Sequence, residues 1–130
     1  MTPAERPSNR AVPPVAGSKR FRPVERIRRR SEYRRIYDTG SRLSGRFMTM
    51  FLAANTAGWP RLGIAATRKL GGAVQRNRAK RLVREVFRQN KPGTAVDVVV
   101  VPRREILDAA FEAILGDFRS LLRRRTRGKP

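Results

Sequence analysis

The sequence predicts an α+β fold, one domain with its elements in the order α-β-β-α-β-α, as a two-layer sandwich of helices packed on a small mixed sheet. Three observations predict it. Residues 47–54, FMTMFLAA, alternate in character with the period of a strand. Residues 96–101, VDVVVV, form the short apolar run expected of a strand buried on both faces. Residues 79–87 and 107–122 space their apolar side chains at helical period. A chain of 130 residues suffices for one such core and little more.

The elements follow in order. Residues 1–23 read as a flexible basic arm; the first 22 hold four of the nine prolines and almost no large apolar side chain. The domain is expected over 24–123, with 124–130, RRTRGKP, as a basic tail. Ser31 is the candidate N-cap of a helix over 32–38, which Gly40 stops; Tyr33, Ile36 and Tyr37 share one of its faces. In the first strand, Met48, Met50, Leu52 and Ala54 make an aliphatic side, and Phe47, Thr49, Phe51 and Ala53 make the other. The turn-rich NTAGWP, 55–60, predicts a hairpin into a second strand over 61–67. A strand–helix–strand unit around the next helix implies a parallel pair, and an amphipathic helix closes the chain.

The helix between those strands is dense in charge. GGAVQRNRAKRLVREVFRQNKP, 71–92, carries seven basic residues and one acid, Glu85. Ala79, Leu82, Val83, Val86 and Phe87 converge on one side, while Arg76, Lys80, Arg84 and Arg88 run four apart along the opposite side. Asn77 and Arg81 lie beside that row, and Arg78 and Glu85 fall on the flank. Like charges at this spacing destabilise an isolated helix, so packing of the apolar side and a polyanion must offset them. Gly71 and Gly72 let the backbone approach a ligand at the helix start, where free N–H groups favour phosphate. The Walker pattern is absent.

Composition narrows the chemistry. The 31 basic and 10 acidic residues leave a net charge of +21, which points to a polyanion, nucleic acid before an anionic membrane. The chain contains no cysteine and no histidine, so thiolate nucleophiles, sulfur-ligated zinc and the commonest general base are excluded. The acids are scattered, so neither catalytic nor metal-ligating residues are assigned. No apolar run reaches membrane-span length and no secretory signal is visible, so the cytoplasm is the expected location and no membrane the expected partner.

GGAVQRNRAKRLVREVFR resembles the signature of the bacterial ribonuclease P protein component, whose RNR motif opens such a helix; here it is Arg76-Asn77-Arg78. The resemblance extends over about residues 24 to 123, taking in the aromatic helix before Gly40, Thr67-Arg68-Lys69, and the valine strand with Asp97. It implies a ribosomal protein S5 domain 2-like sandwich with a left-handed β-α-β crossover. It further implies a protein subunit that binds ribonuclease P RNA and precursor tRNA, with magnesium held mainly by the RNA and no obligate protein partner. The residues expected to touch RNA are Arg68, Lys69, Arg76, Asn77, Arg78, Lys80, Arg81, Arg84 and Arg88. A cleft between the first helix and the sheet is expected to receive the single-stranded 5′ leader through Tyr33, Tyr37, Phe51 and Thr67. Plain core packing is the other reading of the two tyrosines. The rival functions are a structural RNA-binding protein of ribosomal type, a DNA-binding or nucleoid protein, and a self-sufficient nuclease.

Overall fold

The computed structural model describes residues 20–128, with side chains through Arg124. Most of the expected arm, 1–19, lies outside the described residues. Three helices, α1 (Arg30–Thr39), α2 (Ala73–Gln89) and α3 (Phe111–Gly128), accompany four strands, β1 (Ser41–Ser44), β2 (Met48–Ala54), β3 (Arg61–Ile64) and β4 (Val96–Pro102). The sheet order is β1-β2-β4-β3. β4 runs antiparallel to β2 and parallel to β3, so the predicted parallel pair around the basic helix forms.

The strand arrangement corrects two expectations. β2 and β3 are not a hairpin, because β4 lies between them and bonds to both. A strand with apolar residues on both faces is satisfied only at the centre of a sheet, and the six residues 55–60 are long enough to carry the chain past it. β1 is an extra strand: SRLS offers a single apolar residue, Leu43, and its pairing with β2 supplies what its own pattern lacks. β3 is also shorter than expected, since Thr67 already caps a 3-10 turn over Arg68–Leu70.

One face of the sheet builds the core. Met48, Met50, Leu52, Leu62, Val96, Val98 and Val100 meet Ala79, Val83, Val86 and Phe87 of α2 and Ile114, Phe118 and Leu121 of α3. Phe47 joins this core too, because it precedes β2 and escapes the alternation assigned to it. The other face is covered in part by α1, whose Ile36 packs with Ile27, Ala53 and Val99.

The boundaries also move. Arg29, not Ser31, occupies the N-cap of α1, and Gly40 ends that helix with its N–H on the Ile36 carbonyl at 2.8 Å. The fold begins before residue 24: Phe21 packs edge-on against Phe87 at 5.6 Å. Buried Glu25 holds Lys91 at 2.7 Å, fastening this segment over the end of α2. Asp117 of α3 accepts from the N–H groups of Arg46 and Phe47 at 3.0 and 2.9 Å, pinning the β1–β2 turn. At the far end α3 continues to Gly128, through much of the stretch read as a tail.

Candidate nucleic-acid interface

The basic helix begins at a glycine that no other residue replaces without strain. Gly71 has φ +122°, which turns the chain sharply out of the Arg68–Leu70 turn. Gly72 is the N-cap, its N–H donating to Gln75 Oε1 at 3.0 Å. The Arg76 guanidinium folds back to donate to the Gly71 carbonyl at 3.0 Å. Asn77, Arg78 and Arg81 stand exposed, as do Arg68 and Lys69 in the preceding turn. Lys80 and Arg84 are half-buried. Arg88 differs: its guanidinium is held by Glu85, whose carboxyl is driven below the usual range by that bond and by Gln89. Its charge is matched locally, which makes it the weakest phosphate candidate of the row. Of the predicted apolar side of α2, Ala79, Val83, Val86 and Phe87 are fully enclosed, while Leu82 is only half-buried against the core.

Three aromatic residues, Tyr33, Tyr37 and Phe51, gather on the opposite face of the sheet. Phe51 of β2 pairs with Val99 of β4, which pairs with Gly63 of β3, so these residues form one row across the sheet. Tyr37 meets Phe51 edge-on at 4.9 Å, and Tyr33 lies 6.4 Å from Tyr37. The Tyr33 hydroxyl accepts from Ile64 N–H at 3.1 Å and donates to the Ile27 carbonyl at 3.3 Å. Burial raises both phenols above their ordinary pKa, so both rings stay neutral. Tyr37 is 40 % exposed, whereas Tyr33 is half-buried and tied to β3. Tyr37 thus offers the most open ring, beside the half-buried Phe51 and Tyr33.

The neighbouring row, Thr49 of β2 and Val101 of β4, carries residues that the sequence reading missed. Arg103 donates to Thr49 Oγ1 at 3.3 Å, and its buried Nε has no partner. Arg42 of β1 stands opposite Phe51 in the register. Only Thr49 had a local signal, on the lighter side of β2. Arg42 and Arg103 reach the site through strand pairing, which no window of sequence displays.

The basic and aromatic surfaces meet around β3, an edge strand. A cavity of about 190 Å³ there is lined by Tyr33, Gly63 and Ile64 on one side and by Lys80 and Arg84 on the other, with Arg26 beside them. Arg26 stacks over Phe21 at 5.1 Å. Although Arg26 is largely exposed, its pKa is lowered, first by partial desolvation among its neighbours and then by repulsion from Arg84 and Arg28. Thr67 is exposed and accepts from Lys69 N–H at 3.3 Å, so it shapes the turn between the two surfaces. Among the described residues no group of three or more Asp and Glu side chains gathers that could hold a metal ion. The arrangement can bind phosphate and stack bases.

The comparisons with known proteins agree with this geometry. The pattern of the Ribonuclease P family matches residues 21–126. The chain is 43 % identical over 81 residues to the ribonuclease P protein component of Syntrophus aciditrophicus, covering 61 % of this chain and 68 % of that one. The ribonuclease P protein from Thermotoga maritima superposes with a TM-score of 0.69 at 34 % identity, covering 77 % of this chain and 96 % of that one. A mutant of the Staphylococcus aureus ribonuclease P protein gives 0.71 at 31 %, covering 78 % and 88 %. With its RNR helix, its aromatic face and these relatives, the chain belongs to the family of bacterial ribonuclease P protein components.

Proposed function

We propose that this chain, as the protein subunit of the ribonucleoprotein endoribonuclease ribonuclease P, divides its two surfaces between two RNAs. The exposed Asn77, Arg78 and Arg81, with Arg68, Lys69 and Arg76, face the catalytic RNA. Lys80 and Arg84 carry the positive potential around β3 toward the aromatic face. There Tyr37 and Phe51, backed by Tyr33 and with Thr67 nearby in the chain, hold the unpaired 5′ leader of precursor tRNA by stacking, with little base preference. Removing the leader leaves the mature 5′ end of the tRNA.

The chain's part is to lower repulsion between two polyanions and to align the leader. Magnesium, held mainly by the RNA subunit, supplies the activated water and the charge neutralisation of hydrolysis. In this reading the catalytic RNA and precursor tRNA are the partners, no other protein is required, and the cytoplasm is the workplace. No helix among the described residues is long and apolar enough to cross a membrane. The observation that carries the reading is the continuity of the RNR helix with the aromatic row around one sheet edge. Family membership sets it above a structural role of ribosomal type.

Reconstitution tests it. The chain mixed with a bacterial ribonuclease P RNA at low magnesium should accelerate leader removal, and no acceleration would refute the proposal. Arg76→Ala with Arg78→Ala should weaken association with that RNA and flatten its logarithmic salt slope by about 1.4 to 1.8. An unchanged slope removes those two contacts.

A further inference from the structure

A cavity of about 530 Å³ opens at the start of α1, lined by Arg26, Arg28, Arg29, Glu32, Trp59 and Arg61. It lies at the other end of the sheet face from Thr49 and Arg103: Arg61 pairs with Asp97, two residue pairs along from Gly63–Val99 and so in the next row of the same face. Its volume is in the range of small-ligand sites.

The lining is cationic and incompletely matched. Arg61 is committed, bonding Glu32 at 3.1 Å and Asp97 at 2.8 Å, so the cavity's one carboxylate is already neutralised. Arg26, Arg28 and Arg29 are exposed, and none makes an ion pair among the described residues. Arg29 is also the N-cap of α1 and gives no side-chain acceptor to the first turn. Trp59 adds the second kind of recognition. Its indole N–H donates to the Val24 carbonyl at 2.9 Å, which fixes the half-buried ring before any ligand arrives. A fixed aromatic beside unpaired guanidiniums matches a flat base joined to a phosphate; an acidic peptide has no use for the ring.

We propose that this cavity takes one unpaired nucleotide of an RNA strand, its base stacked on Trp59 and its phosphate held by Arg28 and Arg29. Only the source of that nucleotide, catalytic RNA or precursor tRNA, rests on the function proposed above.

Trp59 is the chain's one tryptophan, so its emission reports this cavity alone. The full chain titrated with a short oligoadenylate should lose Trp59 emission, and inorganic polyphosphate, which has charge but no bases, should not quench it. Arg28→Ala with Arg29→Ala, both at exposed positions, should flatten the salt slope of oligoadenylate binding by about 1.4. Trp59→Ala should weaken that binding roughly five- to hundredfold by fluorescence anisotropy of labelled oligoadenylate, and Trp59→Phe should restore most of it. Circular dichroism of each variant separates lost binding from lost folding. Unchanged emission at saturating oligoadenylate, or equal quenching by polyphosphate, overturns the proposal. Quenching by ribonuclease P RNA alone assigns the nucleotide to the catalytic RNA; quenching only when leader-bearing precursor joins the holoenzyme assigns it to the substrate. A chain whose emission responds to oligoadenylate but which does not accelerate the ribozyme keeps this site and loses the function proposed above.

Discussion

At Gly63 the backbone of β3 passes directly beneath Tyr33. A Cβ there would lie 2.6 Å from the tyrosine hydroxyl and 2.8 to 2.9 Å from the ring, so only glycine lets the ring settle against the strand. Gly63→Ala should displace Tyr33, cost about 1–3 kcal/mol in urea unfolding, and weaken leader binding. Tyr37 is the most open of the three rings. Tyr37→Ala should cost about 1–3 kcal/mol of leader affinity, and Tyr37→Phe should keep nearly all of it. The phenols add a dependence on pH. Burial sets the folded pKa of Tyr33 and Tyr37 above the ordinary 10.0, so their ionisation is easier in the unfolded chain. Their contribution to stability is therefore whole below pH 10.0 and is lost as pH rises through the folded values. Tyrosinate absorbance should grow in with midpoints above 10.0, and midpoints at or below it would contradict the burial.

Asp97 decides how α1 sits. It belongs to the central strand β4, has no exposed surface, and receives Arg61 through two bonds of 2.8 Å. Arg35 of α1 reaches it at 2.5 Å and Asn55 of the β2–β3 loop at 2.8 Å. Arg61 also bonds Glu32 of α1, so one carboxylate links a helix, a loop and two strands. The Asp97 bond, chiefly, raises the Arg61 pKa despite its burial. Asp97→Ala would leave the Arg61 guanidinium, which is only 16 % exposed, with Glu32 as its one remaining carboxylate and would take the acceptor from Arg35 and Asn55, and should destabilise the fold by about 1–3 kcal/mol. Because α1 carries Tyr33 and Tyr37, leader binding should fall even at temperatures where the variant stays folded. A urea midpoint equal to that of the unchanged chain would show that the linkage contributes nothing.

The net charge of +21 acts on the entire chain. Self-repulsion opposes the compact state in the absence of RNA, as the crowding of Arg26, Arg28 and Arg84 illustrates locally. The free protein should therefore melt at a higher temperature at about 0.15 M salt, where the Debye length is near 8 Å, than in very dilute buffer. Bound RNA should raise the melting temperature further, by mass action and by supplying the missing anions. Melting that is insensitive to salt would mean that local ion pairs already balance the charge.

Local periodicity settles much of this protein. The faces of α2, the alternation along β2, the apolar run of β4 and the closing helix are each written within a few consecutive residues, because a helix or strand repeats on a scale shorter than the element itself. The RNR helix and its basic side were readable for the same reason. Sheet order was not: placing β4 between β2 and β3 depends on which strand must be covered on both faces, a condition of the assembled layers. The same assembly recruits β1, brings Arg42 and Arg103 beside Phe51 and Thr49, and turns the acid inside VDVVVV into the anchor of α1. Those contacts join residues far apart in the chain, and burial, not proximity in sequence, selects them.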